Sequence, residues 1–185
     1  MAGSATPGLD EAALERLYVE LEKPMYNVVY RWVWNPEEAR DVVQEAFVRA
    51  WRMRDEVRLD TARPLLYKIA LNLASNRRRA RKLWRWVSLE AVWGQRSHEP
   101  DPEESTSERE RRMAVRRAID ALPERYRKVV TLCELTGMSY TEVARVLDIP
   151  PGTVASRRHA ALKLLEDQLG RFAEDADEDL QAARV

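Results

Sequence analysis

Apolar residues recur every three or four positions along almost the whole chain, and this spacing constrains the fold more than any other feature. Leu14, Leu17, Tyr18 and Leu21 begin the pattern. Ala, Leu, Arg and Glu dominate the composition and favour helices, while only 6 of the 185 residues are glycine. The alternation that is typical of strands is scarce. The sequence therefore predicts an all-α protein.

Prolines and capping residues divide the first part of this pattern into helices. We expect Pro24 to interrupt the first helix, because proline is tolerated mainly at the start of a new one. Asn35 can cap the next helix, with proline and two acidic residues in its first turn, and this helix is predicted to end near Met53.

A third helix completes the predicted first domain. A short polar stretch, residues 55–61, separates it from the second helix, and we expect it to run from about Pro64 to Leu83. The three helices form a first small domain over residues 10–87.

The weakly periodic residues 88–107, rich in acids, proline, serine and threonine, are predicted to be a flexible linker. A second small helical domain follows over residues 108–170, and residues 171–185 are predicted to be an acidic, disordered tail.

Local signals define the helices of the second domain. Gly137 suits the end of one helix, and Ser139 with Glu142 forms a capping box at the start of the next, which is predicted to end near Leu147. The last helix is expected over residues 151–169.

The charges balance at 31 basic and 31 acidic residues, yet they are segregated along the chain. Six basic residues and no acidic ones lie between Arg77 and Arg85, whereas residues 99–108 and 174–179 each hold five acids and no base. Trp84 lies within the basic run. Aromatic and basic side chains in alternation suit single-stranded nucleic acid, whose bases stack and whose phosphates pair.

The segment 139–165 has the spacing of a helix-turn-helix, in which a capped bracing helix precedes a helix that enters the major groove of DNA. The second helix would present Thr153, Ser156, Arg157 and His159 to phosphates and base edges. The same spacing also occurs in helical hairpins of bundles that do not bind DNA.

The sequence gives little support for an enzyme, a metal or cofactor protein, or a membrane protein. Neither His98 nor His159 has a partner at catalytic spacing, so we expect no catalytic residues and no enzyme activity. Cys133 is the single cysteine and is expected in the core, and neither a metal site nor a cofactor site is evident. No apolar run is long enough for membrane insertion.

Taken together, the motifs resemble the extracytoplasmic-function (ECF) group of bacterial RNA polymerase sigma factors over residues 10–169. The resemblance rests on five segments in the family's order: DVVQEAFVRAW at 41–51, YKIALN at 67–72, ALPERYR at 121–127, YTEVA at 140–144 and GTVASR at 152–157.

The resemblance implies three sets of contacts. The residues expected to bind core RNA polymerase, on the clamp helices of its β′ subunit, are Asp41, Gln44, Glu45 and Val48. Those expected at the −10 promoter element, where a flipped base is captured and the strands separate, are Asp55, Arg58, Asp60, Asn72, Arg77, Arg78 and Arg79. Those expected at the −35 element are Thr153, Ser156, Arg157 and His159.

The implied partners are core RNA polymerase, through its β′ and β subunits, promoter DNA and an anti-sigma factor, all in the cytoplasm. The sequence departs from the family pattern at Arg158, Ala160 and Leu162, where Arg158 would extend outward from the recognition helix.

Two alternatives stay open at this point. A stand-alone helix-turn-helix regulator would bind duplex DNA without polymerase, but it would leave the helix at 41–51 and the basic run without a role. A sigma-like protein-interaction mimic would sequester an anti-sigma factor without directing transcription.

Overall fold

The computed structural model describes residues 8–87 and 106–182, with side chains over 8–83 and 107–172. These residues form seven helices and no named strand. The helices are α1 (Glu11–Val33), α2 (Pro36–Arg52), α3 (Leu59–Val87), α4 (Thr106–Ala121), α5 (Glu124–Thr136), α6 (Tyr140–Leu147) and α7 (Pro151–Ala182). The prediction of an all-α protein is confirmed.

Helix α1 is continuous through Pro24, and the predicted interruption there is wrong. The ring removes only one backbone donor. Buried side chains on both sides, such as Leu21 and Val28, hold the helix against its neighbours. The Asp10 carboxylate caps its start by accepting from the Ala13 N–H at 2.7 Å.

Helix α2 begins as predicted, since the Asn35 side chain accepts from the Glu38 N–H at 2.9 Å. Helix α3, however, begins at Leu59, five residues before the predicted start, and contains Pro64. Burial of Val57 and Ala62 anchors the first turn of α3 on the core. The predicted polar stretch at 55–61 is therefore partly helical.

Helices α1, α2 and α3 pack together into a first lobe. Its centre is fully buried and includes Met25, Trp32 and Leu66. Tyr18 of α1 meets Phe47 of α2 edge to face, with ring centroids 5.0 Å apart.

Helices α4 to α7 form a second lobe. The predicted end of α5 and the predicted start of α6 are confirmed. Gly137 ends α5 with a φ of 66°, in the left-handed region that glycine tolerates best. Ser139 and Glu142 form the capping box of α6, with the Glu142 carboxylate accepting from the Ser139 N–H at 2.8 Å.

Helix α7 extends to Ala182, well past the predicted end near Leu169, so residues 171–182 are helical where we predicted a disordered tail. The added segment, residues 170–182, contains no proline, and its alanines and glutamates favour a helix. Helix α4 begins at Thr106, inside the predicted linker, and linker residues 88–105 lie outside the described residues.

The two lobes pack against each other, which the sequence analysis did not predict. Helix α1 contacts α5 and α4, and α3 contacts α6. One apolar core runs through both lobes, from Trp32 and Leu71 on one side to Val129 and Val146 on the other.

Candidate nucleic-acid interface

The candidate polymerase-binding residues share the outer face of α2. Asp41, Gln44 and Val48 are exposed, and Glu45 is half-buried. Val48 is 48% exposed and forms an apolar spot among polar neighbours. A contact surface with an apolar centre and a polar rim is typical of protein interfaces.

Arg77 of α3 packs against this face of α2. Its guanidinium donates to the Glu38 carbonyl at 3.1 Å and to Glu45 Oε2 at 3.4 Å, and it lies 3.7 Å from Asp41 Oδ2. Arg77 therefore fixes α3 on α2 and supports the polymerase-binding candidates from behind. The Arg77 guanidinium is thus paired with groups of α2 and is not free in solvent.

The candidate base-capturing segment is a short connection plus the first turn of α3. The Arg58 guanidinium lies 3.3 Å from Asp60 Oδ1, and the Thr61 hydroxyl donates to the Arg58 carbonyl at 2.9 Å. Asp55 is exposed beside them. The structure thus brings three of the candidate −10 residues, Asp55, Arg58 and Asp60, to one end of the first lobe.

Asn72 lies about three turns beyond Asp60 on α3 and is exposed beside Lys68. Both residues line a cavity of 380 Å³ between the lobes. Arg125 and Arg157 of the second lobe line it from the other side. This cavity is strongly cationic, with Glu124 as its acidic lining residue.

The two remaining arginines of the −10 set reach across to the second lobe. Arg78 pairs with Asp120 at 2.5 Å, and Arg79 lies 3.6 Å from Glu124. Burial opposes ionisation of the Glu124 carboxyl, but Lys128, Arg79 and Ser75 outweigh it, so its pKa lies below the usual value.

The helix-turn-helix is built as the sequence indicated. Asp148 takes a left-handed conformation with a φ of 56° after α6, and the Ile149 N–H donates to the Ala144 carbonyl at 3.1 Å. Val154 is fully buried and seats α7 on the rest of the lobe. Thr153 is half-buried and lies in the first turn of α7.

The candidate −35 residues divide between two environments. Ser156 and His159 are exposed, and the Ser156 hydroxyl donates to the Thr153 carbonyl at 3.1 Å. Arg157 is half-buried and lines the cavity between the lobes. The four residues share one helix, but Arg157 faces the first lobe in this arrangement.

The Arg158 guanidinium lies at the surface, as expected, but it also forms contacts there that were not predicted. The guanidinium donates to Glu134 Oε1 at 2.6 Å and reaches the Tyr140 hydroxyl at 3.4 Å. It therefore ties α7 to α5 and α6 and helps to orient the recognition helix.

Five residues at the interlobe contact were not predicted as site residues: Lys68, Asp120, Glu124, Arg125 and Lys128. Three of them lie in the segments YKIALN and ALPERYR, but nothing local indicates the contact, because it comes from the packing of one lobe on the other.

The described residues hold no candidate metal centre and no candidate membrane span. Within those parts, no group of three or more His, Cys, Asp or Glu side chains is placed to hold a metal ion. Cys133 is half-buried, and burial raises the pKa of its thiol. No described helix is long and apolar enough to cross a membrane.

Comparisons with known families match both lobes. The Sigma-70 region 2 family matches residues 17–83, and the Sigma-70, region 4 family matches residues 112–165. The ECF RNA polymerase sigma-E factor of Escherichia coli is 35% identical over 169 residues, covering 86% of this chain and 88% of that protein. The ECF RNA polymerase sigma factor SigE of Mycolicibacterium smegmatis is 29% identical over 170 residues, covering 90% of this chain and 66% of that protein.

Two solved structures share the fold over both lobes. The sigma factor RpoE of Bartonella quintana, in complex with the anti-sigma factor NepR, has a TM-score of 0.66 at 20% identity and covers 87% of this chain and 98% of its own. CnrH, in complex with the cytosolic domain of CnrY, has a TM-score of 0.64 at 23% identity, with coverages of 88% and 90%. Because both structures are less than 25% identical to this chain, the likeness is evidence for the fold alone.

Proposed function

This chain belongs to the ECF family of RNA polymerase sigma factors, and we propose that it binds core RNA polymerase, directs it to specific promoters and helps to melt the −10 region. The observation that carries the proposal is the 35% identity to a sigma-E factor along both lobes. The polymerase supplies the chemistry of RNA synthesis, so the proposed role is not catalytic and needs no cofactor.

The outer face of α2 is the proposed polymerase contact. Asp41, Gln44 and Glu45 would meet the clamp helices of the β′ subunit, with Val48 as the apolar centre. The support is physical: this face is exposed, is braced by Arg77 and belongs to the segment that resembles the family's polymerase-binding helix.

The first lobe is also proposed to hold the melted −10 strand. Asp55, Arg58 and Asp60 would form the pocket for a flipped base, and Asn72 would lie along the strand. Unstacking a base costs a few kcal/mol, which a pocket and phosphate contacts must offset. Arg78 and Arg79 would supply phosphate contacts once they are released from the second lobe.

The second lobe is proposed to bind the −35 element as duplex. Helix α7 would enter the major groove, with Thr153 and Ser156 near the backbone and Arg157 and His159 toward base edges. Arg158 would hold the angle of α7 through Glu134.

An anti-sigma factor is a proposed further partner, and the cytoplasm, where RNA polymerase works, is the proposed location. The sigma factor RpoE of Bartonella quintana, which shares the fold, was solved in complex with the anti-sigma factor NepR. An inhibitor that binds both lobes would hide the promoter-binding surfaces that each lobe offers.

Run-off transcription tests the proposal. Purified chain and core polymerase are incubated with fragments of the source genome, and start sites are mapped. The expected result is a small set of defined start sites that core polymerase alone does not produce. A chain that binds core polymerase but starts no transcript would instead be the interaction mimic. A chain that binds duplex DNA tightly by itself and ignores core polymerase would be the stand-alone regulator.

A further inference from the structure

The connection between α2 and α3 carries residues that we assign to the captured −10 base. Its own backbone bonds are short in range. The Glu56 N–H donates to the Met53 carbonyl at 2.9 Å, and the Thr61 N–H donates to the Arg58 carbonyl at 3.0 Å. Bonds between residues three apart set the shape of a turn. The place of the connection on the lobe depends on its contacts with other elements.

The residues just before α1 provide such a contact. The Leu9 N–H donates to the Val57 carbonyl at 3.2 Å, and Gly8 forms an antiparallel bridge with Arg58. The side chains of Leu9 and Val57 are 2% and 5% exposed and belong to the same apolar core. Residues 8–9 thus lie along the connection, and we call them the N-terminal clamp.

The N-terminal clamp is itself fixed to α1 through Asp10. The Asp10 N–H donates to the Gly8 carbonyl at 3.1 Å. The Asp10 carboxylate accepts from the Ala13 N–H at 2.7 Å, and its carbonyl accepts from the Leu14 N–H at 3.0 Å. Ala13 is 2% exposed, so the first turn of α1 is seated in the core. The clamp therefore joins the start of α1 to Val57, which lies between candidate base-capturing residues.

We propose that Leu9 is a positioning residue for base capture, because the N-terminal clamp holds Asp55, Arg58 and Asp60 in place for the flipped base before DNA arrives. The inference rests on the proposed function and deepens it. Each residue whose backbone has to be ordered on binding weakens capture by roughly tenfold. A connection that is already fixed avoids that loss.

A purely structural role for Leu9 would have a different consequence. Loss of a buried side chain would then lower the stability of the first lobe, with no particular effect on the base pocket. Val28 provides the comparison, because it is fully buried in α1 of the same lobe. It lies about 25 Å along the helix from Glu11, and therefore far from the clamp.

Hydrogen exchange of the free chain tests the clamp itself. We expect Leu9→Ala to speed exchange of the amides of residues 56–61 by roughly tenfold relative to the amides in the middle of α1. Val28→Ala should not single out residues 56–61. Leu9→Met keeps the volume of the side chain and should restore protection. Gly8→Ala is a second control, because a Cβ at Gly8 would meet no atom within 4 Å.

Base capture is measured with holoenzyme that is reconstituted from core polymerase and each full-length variant. One single-stranded oligonucleotide carries the non-template strand of the −10 element. Another lacks one base, at the position where removal weakens binding of the unmodified holoenzyme most. The ratio of the two affinities reports the contribution of the captured base.

We expect Leu9→Ala to lower this ratio by roughly tenfold. Val28→Ala, Gly8→Ala and Leu9→Met should leave the ratio unchanged, and all four variants should bind core polymerase like the unmodified chain. Circular dichroism confirms that each variant is helical. If Leu9→Ala unfolds the lobe, Leu9→Val is the smaller truncation and should change the ratio in the same direction.

An equal fall in the ratio with Val28→Ala, or unchanged exchange of residues 56–61 in folded Leu9→Ala, overturns the proposal. Two further outcomes separate it from the proposed function. If no base removal weakens binding of the unmodified holoenzyme, base capture falls and the positioning role falls with it. If base removal matters but Leu9→Ala leaves the ratio intact, base capture stands and the positioning role alone falls.

Discussion

Asn72 of α3 and Arg157 of α7 line one cavity, although the promoter elements assigned to them lie far apart on DNA. In this arrangement, the residue proposed for the −10 strand and the residue proposed for the −35 element lie on opposite sides of one cavity. Two acids of the second lobe, Asp120 and Glu124, form ion pairs with Arg78 and Arg79 of the first.

Val48 gives the sharpest test of the polymerase-binding face. We expect Val48→Glu to weaken core-polymerase binding at least tenfold, about 1.4 kcal/mol, because it places a charge at the apolar centre of the contact. Val19→Glu is the matched control, since Val19 is 78% exposed on α1 of the same lobe. Fluorescence titration with labelled core polymerase measures both. Equal affinities for the two variants would remove α2 from the interface.

Arg77 and Arg79 are separated by one residue yet should behave differently. Arg77 is 30% exposed and bonded to α2, so Arg77→Ala should lower the free energy of unfolding by about 1–3 kcal/mol. Arg79 is 67% exposed, so Arg79→Ala should spare stability and lower the salt slope of promoter binding by about 0.7–0.9. Urea unfolding and binding at several salt concentrations measure these effects. If Arg77→Ala leaves stability unchanged and lowers the salt slope more than Arg79→Ala does, Arg77 and not Arg79 contacts phosphate.

Arg157 is predicted to read the −35 element. Arg157→Ala should cost the holoenzyme about 1–3 kcal/mol on a mapped promoter, and the loss should vanish on a template whose −35 element is scrambled. Lys163→Ala, an exposed cation further along α7, is the control and should show little effect on either template. Equal weakening by Arg157→Ala on both templates would point to a phosphate contact in place of base reading.

Ser139 caps α6, the bracing helix of the helix-turn-helix. Ser139→Ala should lower the free energy of unfolding by about 1 kcal/mol, because it leaves the Glu142 N–H without its acceptor. Thr141→Ala changes an exposed neighbour that does not form the capping box, and it should cost less than about 0.5 kcal/mol. Urea denaturation compares them, and similar losses would show that the cap contributes nothing specific.

The capping box also predicts a dependence on pH. The backbone N–H and hydroxyl of Ser139 bond the Glu142 carboxylate and hold its pKa below the usual 4.5. A depressed folded-state pKa stabilises the fold above pH 4.5, and that contribution is lost as pH falls through the folded value. The stability gap between the unmodified chain and Glu142→Gln should therefore shrink between pH 6 and pH 3. A gap that is constant over this range contradicts the assignment.

Local signals in the sequence predicted most of the helices. The helix ends at Asn35, Gly137 and Ser139 are formed with neighbouring backbone groups. They can therefore be predicted without knowing the fold. Pro24 and Pro64 misled the prediction, because burial of the surrounding helix outweighs the single hydrogen bond that each proline forfeits.

The candidate site was predictable only as separate motifs. The spacing around Ser156 and Arg157 indicated a DNA-binding helix, and composition alone indicated the basic run. Nothing local indicated that Arg78 would meet Asp120, because that pair joins positions 42 residues apart through the packing of two lobes. Motifs that act within one helix are readable in sequence, whereas contacts that depend on domain arrangement are not.

Permanganate footprinting of a mapped promoter tests the central claim most directly. Holoenzyme reconstituted from this chain and core polymerase should make thymines of the −10 region reactive, since permanganate attacks unstacked thymine, and a scrambled −10 element should abolish the signal. Reactivity no greater than that with core polymerase alone, at every promoter tried, would contradict the account.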